Sequence, residues 1–258
     1  VFAMSDTYYD TKVVIATKKA NKITSYDQLK GKTVGVKNGT AAQRFLQKNK
    51  DKYGYTIKTF DTSDLMNNSL STGAVDAVMD DQPVIEYAIK QGQDLSINME
   101  GEAVGSFAFG VKKDGSHENL IKQFNTALAQ MKKDGTLDQI IEKWTGSSQS
   151  SSSATTTAST SAVPETSTEA GQKATPKKKK YKISSDSSFA PFVFQNDQSK
   201  YTGIDMELIK AIAKDQGFTP EISNPGFDAA VSDVQNGNAD GMIAGMTITD
   251  ARKATFDF

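Results

Sequence analysis

The chain has 258 residues, which is enough for one large domain or for two of modest size. Its 30 Lys and Arg residues nearly balance its 31 Asp and Glu residues, so the net charge of -1 offers no basic excess for a nucleic-acid partner. With no cysteine and with His117 as the only histidine, the composition excludes disulfides, thiolate metal sites and histidine clusters, and we expect neither a metal nor a cofactor.

A segment rich in serine and threonine follows residue 146. Residues 147–172 are almost all Ser, Thr, Ala, Gln and Glu, a composition that cannot bury enough apolar surface to offset the entropy of ordering. Together with the lysine run at 177–180, it predicts a disordered linker over residues 147–180. Elsewhere the apolar runs, such as residues 13–16, are far shorter than the ~20 residues that span a bilayer, and no secretory signal pattern opens the sequence. We therefore expect a water-soluble piece of a longer protein.

Strand and helix signals alternate before the linker. Ser25 and Gln28 form a capping-box pattern, and Gly31 is a helix stop, so a short helix is predicted over residues 25–30. Pro83 suits the first turn of a helix that Gly92 ends. The other predicted strands lie at residues 11–17, 33–37, 75–79 and 104–111, and the other predicted helices begin at Thr40 or lie at 63–71, 118–133 and 137–144.

The same alternation resumes after the linker. Strands are predicted at residues 181–185, 219–223 and 239–244, and helices at 204–216 and 226–235. Strand–helix alternation implies parallel sheets flanked by helices, so the fold class is α/β. Segments 71–79 and 235–243 also share one frame, a helix end followed by Gly, a spacer, Ala or Val, Asp, a small residue and an apolar strand. Two segments built alike suggest two lobes rather than one continuous core.

Candidate ligand-binding residues lie where the strands end, because open α/β sheets bind ligands beyond the carboxyl ends of their strands. Residues 37–41 follow one strand and open a helix, so their backbone N–H groups suit an anion, or they form an ordinary capped turn. Asp80 and Asp81 follow another strand, where they either cap the helix behind Pro83 or face a cation.

Two further clusters follow strands after the linker. Asp186 and Phe189 could pack against a ligand, or Phe189 could belong to the core. Residues 245–252 end on Arg252, which could bind a carboxylate through two parallel hydrogen bonds or form a surface salt bridge.

At these positions the sequence resembles a known family. The runs at 186–192, 203–205, 244–253 and 256–258 are similar to the first half of the polar-amino-acid-binding proteins of ABC importers, and those at 5–9, 29–36, 38–40, 77–81 and 135–144 to the second half. These motifs are most similar to the glutamine-type binding domains that are fused in tandem to the transporter's membrane subunit in Gram-positive bacteria. The resemblance covers nearly everything outside the linker.

The order of the halves departs from the family, because the second half comes first. A circular permutation or a slice across two tandem copies would explain this order. The segment at 1–4 occupies the same family position as residues 255–258, and a slice must carry that hinge segment twice whereas a simple permutation would not. We therefore favour the slice. If so, the two half-sites come from different copies and meet only if the linker lets them pair.

The resemblance implies a two-lobed type II periplasmic-binding-protein fold with its halves in permuted order. Residues 1–10 would be a crossover strand, 11–103 the second lobe and 104–146 the return crossover with helices that pack on the first lobe. The disordered linker would follow at 147–180, and the first lobe would be residues 181–258.

The resemblance also implies roles for individual residues. Arg252 would hold the ligand's α-carboxylate, with help from Thr247 and from the N–H of Ala41 behind Thr40. Asp81 would take the α-ammonium group, with the Gly245 carbonyl as second acceptor. The remaining residues would enclose the rest of the ligand, Phe189 and Phe227 along its stem and Asp186, Lys37 and Asp80 at its side-chain end.

The function implied is binding without catalysis. Glutamine is the first choice of ligand, then asparagine or glutamate, and lobe closure would present the ligand to an ABC-transporter membrane subunit fused in the full-length protein, on the outer face of the plasma membrane. Two alternatives stay open, a ligand-binding sensor or receptor domain and a dehydratase-like enzyme on the same fold. An enzyme would need a poised acid or base, for which Asp80 with Asp81 is the candidate pair.

Overall fold

A sheet of ten strands runs through the molecule and carries helices on its faces. The structure, a computed structural model, describes residues 2–146 and 179–248. The predicted linker therefore lies outside the described residues as far as residue 178. Its last predicted residue, Lys180, instead begins a strand, and its side chain pairs with Glu221 at 2.7 Å.

The strands take their numbers in chain order. They are β1 (Phe2–Thr17), β2 (Thr33–Lys37), β3 (Thr56–Phe60), β4 (Ala77–Asp81), β5 (Ser96–Ile97), β6 (Glu102–Lys112), β7 (Lys180–Ser184), β8 (Phe194–Gln195), β9 (Tyr201–Thr202), β10 (Thr219–Ser223), β11 (Gly241–Met242) and β12 (Thr247–Ile248). The helices are α1 (Ala41–Tyr53), α2 (Ser63–Thr72), α3 (Gln82–Lys90), α4 (Glu118–Asp134), α5 (Thr136–Thr145), α6 (Ile204–Gln216) and α7 (Phe227–Asn236), with a short 3-10 helix at Tyr26–Leu29.

Two parallel flanks and an antiparallel centre make up the sheet. Its order is β10-β7-β11-β6-β1-β4-β2-β3, with β12 paired to β6 and β5 to β1. The outer strands on each side pair in parallel, as expected for strands joined through helices. We call the flank of β2, β3 and β4 with α1 to α3 the second lobe. The flank of β7, β10 and β11 with α4 to α7 is the first lobe.

Strands β1 and β6 cross between the two lobes. They pair antiparallel from Phe2↔Lys112 to Val13↔Glu102, with register shifts along the way. One end of β6 meets the first lobe at Met242↔Gly110, and the other end of β1 meets the second lobe at Val13↔Asp81. Among the residues that the structure describes, both of these spanning segments are extended strands, which can bend without breaking a hydrophobic core.

Local signals explain why the helices begin and end where they do. The Thr40 side chain accepts a hydrogen bond from the Gln43 N–H at the start of α1, and Gly54 ends that helix in the left-handed conformation. Thr62 caps α2 in the same way through the Leu65 N–H. These caps place the carboxyl ends of β2 and β3 next to the start of a helix.

Each lobe buries its own apolar cores. In the second lobe, one cluster gathers around Leu46 and Val36 and another around Met66 and Ile85. In the first lobe, α4, α5 and α6 share one core that includes Phe124, and α7 covers the opposite face of the sheet.

Most predicted elements are confirmed, some with the same bounds, as for residues 33–37, 204–216 and 219–223. The helix predicted at 25–30 is the short 3-10 helix instead, because Ser25 makes no capping bond and Gln28 accepts from the Thr24 N–H. The strand predicted at 239–244 shortens to Gly241–Met242, since the chain turns at Gly245 with φ 54°. Strand β3 was not predicted, because its exposed edge position leaves it with mostly polar side chains.

Candidate functional site

A cavity of about 20 Å³ lies between the two lobes, at the carboxyl ends of β2, β4, β7 and β11. Its lining comes from both lobes and consists of Lys37, Thr40, Ala41, Asp81, Asp186, Phe189, Phe227, Ala244, Gly245 and Thr247. That volume is little more than one water molecule requires, so the lining groups lie close together in this structure.

The second lobe contributes a carboxylate, Asp81, at the end of β4. It is 5% exposed, and Thr11 Oγ1 on the crossover strand donates a hydrogen bond to its Oδ1 at 2.9 Å. Burial, and then the neighbouring Asp80 carboxylate, raise the pKa of Asp81 to about 8, while Thr11 and Lys37 oppose that rise. A buried carboxyl group with so high a pKa is ready to ionise when a cation comes beside it.

Asp80 lies behind the cavity and is not part of its lining. Its carboxylate accepts from Ser63 Oγ at 2.9 Å and from the Asp81 N–H at 2.9 Å. Burial raises the pKa of Asp80, an effect that these two donors and Lys37 oppose. The side chain therefore supports the end of β4 in this structure.

Lys37 and Asp186 join the two lobes across the cavity. Their ammonium and carboxylate groups form an ion pair, and each side chain is only 2% exposed. Lys37 Nζ also donates to the Ser188 carbonyl at 3.1 Å and lies 5.5 Å from the centre of the Phe189 ring. A lone buried charge would be strongly destabilising. Each charge of a buried ion pair therefore needs an opposite charge and hydrogen-bond partners such as these.

Local backbone bonds hold Asp186 in place at the end of β7. Its Oδ1 accepts from the Ser187 N–H at 2.7 Å and more weakly from the Ser188 N–H at 3.3 Å. The Asn224 side chain donates to the Asp186 carbonyl at 2.8 Å. The carboxylate is thus oriented from its own loop before it meets Lys37.

The first lobe lines the cavity with aromatic rings and backbone. Phe189 is stacked with Phe192 at 5.2 Å between ring centres, and Phe227 stands at the first position of α7. Gly245 has φ 54°, and a Cβ at this position would overlap the Phe189 ring. Glycine is therefore the residue type that fits beside this ring.

A buried carboxylate supports Gly245 from behind. Asp205, at the start of α6, is 0% exposed and accepts from the Gly245 N–H at 2.9 Å and from Tyr8 Oη at 2.8 Å. Burial raises the pKa of Asp205 to about 7, and the two hydrogen bonds oppose this rise.

Direct hydrogen bonds join the lobes at the rim of the cavity. Ser188 Oγ donates to Asp64 Oδ2 at 2.7 Å on one side, and Asn38 Nδ2 donates to Asp228 Oδ2 at 3.1 Å on the other. These contacts, with the small cavity, define a closed arrangement of the lobes.

The structure brings most of the predicted site residues together, with Asp80 one layer behind the lining. Arg252 lies outside the described residues. Sequence reasoning missed Thr11, Tyr8 and Asp205 as partners of the site. Asp205 and Tyr8 stand in the runs at 203–205 and 5–9 that contribute to the family resemblance, whereas nothing in the sequence pattern distinguished Thr11.

The lining offers binding groups of opposite charge. His117 stands at the start of α4, away from the cavity, and its Nε2 is 2.8 Å from Asp240 Oδ1. Within residues 2–146 and 179–248, no group of three or more His, Asp and Glu side chains could hold a metal ion. In the same part of the chain, no helix has both the length and the apolar character that a membrane crossing requires.

Two α/β lobes, spanned by crossover strands and closed over a cavity between them, are the architecture of the type II periplasmic-binding-protein fold. The family model of bacterial extracellular solute-binding proteins, family 3, matches residues 1–147 and 181–258. The chain belongs to this family.

Comparisons with individual proteins agree with this assignment. The L-cystine-binding protein TcyJ of Escherichia coli K12 is 33% identical over 147 residues, 56% of this chain and 54% of its own length. An ancestral arginine-binding protein bound to arginine is 36% identical with a TM-score of 0.51, and the match covers 55% of this chain and 64% of that one. An ancestral arginine-binding protein bound to glutamine is 35% identical, also with a TM-score of 0.51, over 56% of this chain and 64% of that one. The chain thus spans about half the length of the curated relatives that it matches.

Proposed function

We propose that this chain binds a polar amino acid between its lobes without catalysing a reaction. The observation that carries the proposal is the interlobe cavity, which charged and aromatic side chains of both lobes line together. A carboxylate from one lobe and two aromatic rings from the other suit a ligand with an ammonium group and an aliphatic stem. The solute-binding family and the amino-acid-binding names of the relatives support the same function.

In this proposal, the two ends of the amino-acid backbone meet opposite charges. Asp81 accepts from the α-ammonium group, with the Gly245 carbonyl as second acceptor. Arg252 holds the α-carboxylate through a bidentate pair, with Thr247 and the N–H of Ala41 beside it. Because Asp81 and Arg252 belong to different lobes, the ligand bridges the two lobes. Its binding therefore stabilises the closed arrangement.

The far end of the cavity favours a neutral amide over a cationic side chain. Lys37 and Asp186 stand there together, one able to donate to an amide oxygen and the other to accept from an amide nitrogen. A guanidinium group would meet the Lys37 ammonium group in a buried setting, where like charges repel strongly. We therefore propose glutamine as the ligand, with asparagine and glutamate next, although relatives carry the names of arginine- and cystine-binding proteins.

The proposed domain boundaries follow from the same assignment. Residues 1–10 form a crossover, 11–103 the second lobe and 104–146 the return crossover with α4 and α5. The linker predicted at 147–180 ends before β7, which begins the rest of the first lobe at Lys180. The separate apolar cores of the two lobes support this division. We further propose that the closed shape is delivered to an ABC-importer membrane subunit on the outer face of the plasma membrane, through tandem binding domains fused to it in a Gram-positive protein.

A thermal-shift screen against the common amino acids, followed by calorimetry, tests the proposal. Glutamine should raise the melting temperature most and bind near micromolar Kd, about -8 kcal/mol. A largest shift with arginine, or no shift with any amino acid, would contradict it.

A lysine variant tests the proposed specificity separately. Lys37→Gln should lower the affinity for glutamine about tenfold and raise that for arginine, because the Asp186 carboxylate then faces the ligand without a competing cation. The matched control is Lys12→Gln, which removes an exposed lysine paired with Glu100 at 3.3 Å and should leave both affinities unchanged. An unchanged preference in Lys37→Gln, with a parent-like melting temperature, would contradict the proposed role of Lys37 in specificity.

A further inference from the structure

The crossover strand β1 touches a buried carboxylate in each lobe through a side-chain hydroxyl group. Thr11 Oγ1 donates to Asp81 Oδ1 at 2.9 Å in the second lobe, and Tyr8 Oη donates to Asp205 Oδ1 at 2.8 Å in the first lobe. Thr11 is 6% exposed and Tyr8 is 3% exposed. One short stretch of a single strand is thus bonded to both sides of the cavity.

The bond from Tyr8 reaches the cavity lining through Asp205. The second carboxylate oxygen of Asp205 accepts from the Gly245 N–H at 2.9 Å. This bond anchors the nitrogen side of Gly245, and the Phe189 ring packs so closely that no Cβ would fit there. The position of Gly245 beside the cavity is therefore held by a chain of contacts that begins on β1.

We propose that β1 is a positioning element that holds both acceptors of the ligand's ammonium group, through Thr11 for Asp81 and through Tyr8 for Gly245. This inference rests on the proposed function. It adds that the two acceptors, which belong to different lobes, are set relative to each other by hydroxyl groups of the strand that connects those lobes.

The geometry explains why two hydroxyl groups matter. Each carboxylate is buried, so each lost hydrogen bond leaves an oxygen without its donor, which costs more than the same loss at the surface. Thr11 also lowers the pKa of Asp81, against burial and the like charge of Asp80, and Lys37 is the cation that acts in the same direction. Without Thr11, the Asp81 carboxyl would therefore hold its proton more tightly and be a poorer partner for an ammonium group.

Two conservative variants and two matched controls test the inference. Thr11→Val and Tyr8→Phe each delete a hydroxyl group and keep the side-chain shape. Thr17→Val makes the same change on the same strand, at a threonine that is 1% exposed and whose Oγ1 has no hydrogen-bond partner among the described residues. Tyr181→Phe removes a buried tyrosine hydroxyl group from the same core as Tyr8, where its bond to Gln123 is long at 3.4 Å.

Calorimetry with glutamine should show about tenfold weaker binding for Thr11→Val and for Tyr8→Phe, and parent-like binding for both controls. In ligand-free protein, carboxyl ¹³C NMR should show the Asp81 titration moving to higher pH in Thr11→Val and staying in place in Thr17→Val. A role in folding alone would lower the melting temperature without moving that titration.

The failures of the two proposals are distinguishable. A parent chain that binds no amino acid would overturn the proposed function and this inference with it. A parent that binds glutamine, with Thr11→Val and Tyr8→Phe binding equally well, would overturn the inference alone. The inference alone would also fail if both variants weaken binding only as much as their controls do.

Discussion

The turns that lead into β4 and β11 are built alike, one in each lobe. Gly73 ends α2 with φ 80°, and Gly237 ends α7 with φ 79°. A few residues later, Asp76 Oδ2 accepts from the Thr33 N–H at 2.7 Å, and Asp240 Oδ2 accepts from the Lys182 N–H at 2.7 Å. In each lobe, an aspartate thereby fastens the incoming strand to its parallel neighbour, at the first residue of β2 and at the third residue of β7.

The strands that follow these turns differ. β4 is five residues long, pairs with β1 from Val78 to Asp81, and ends on the carboxyl pair Asp80 and Asp81. β11 is two residues long, pairs with β6 at Met242↔Gly110, and is followed by the turn at Gly245. The second lobe therefore meets the cavity with a side-chain carboxylate and the first lobe with backbone.

A turn and a pairing partner thus determine different features of each strand. The shared glycine and aspartate determine where the strand starts. How far the strand continues depends on the crossover strand beside it, and this decides which group reaches the cavity. Substitutions at the cavity and at the turns should therefore have effects of different size.

Removing a charge at the ligand should have the largest effect. Asp81→Asn at the end of β4 and Arg252→Ala should each lower the affinity for amino acid at least about 100-fold, because each leaves one end of the ligand's charge pair without a partner. Calorimetry on folded variants measures this. Binding by either variant within threefold of the parent would show that the charge is not part of the site.

The pH dependence of stability should distinguish the lobes next. Burial raises the pKa of Asp81 to about 8 and that of Asp205 to about 7, so the folded state holds protons that the unfolded chain releases near pH 4. Their contribution is complete below about pH 4 and is lost as the pH rises toward 8, so the melting temperature of ligand-free protein should fall over this range.

Two variants separate the contributions of the two lobes to this fall in melting temperature. Asp205→Asn should remove the part of the slope that ends near pH 7, and Asp81→Asn the part that continues to about pH 8. Melting curves measured from pH 4 to pH 8 give both slopes. A stability that rises with pH in the parent would contradict the direction of both pKa values.

The strand ends were predictable from sequence, whereas their partners on the crossover strand were not. The rule that ligands bind at the carboxyl ends of parallel strands selected Lys37, Asp81 and Asp186, because those residues follow apolar runs directly. Thr11 lies 70 residues from Asp81 and Tyr8 lies 197 residues from Asp205. Thr11 meets Asp81 through the antiparallel register of β1 and β4, and Tyr8 meets Asp205 on α6 through tertiary packing. No local pattern encodes either contact.

The turn aspartates should contribute unequally to stability. Asp76→Ala removes the bond to the Thr33 N–H and should cost about 1 kcal/mol. Asp240→Ala removes the corresponding bond and also leaves His117 Nε2 without its partner at 2.8 Å, so it should cost about 2 kcal/mol. Urea unfolding measures both, and equal losses would show that the contact with His117 adds nothing.

The turn glycines should give the smallest and most equal effects, because this is where the two lobes are most alike. Gly73 and Gly237 both adopt left-handed backbone conformations, and nothing lies within 4 Å of the position that a Cβ would occupy at either residue. Gly73→Ala and Gly237→Ala should therefore each cost about 1 kcal/mol from backbone strain alone and leave amino-acid affinity unchanged. Urea unfolding and calorimetry on the pair check this. A clear difference between the two losses would mean that the turns differ in their freedom to adjust, and the starts of β4 and β11 would then not be equivalent.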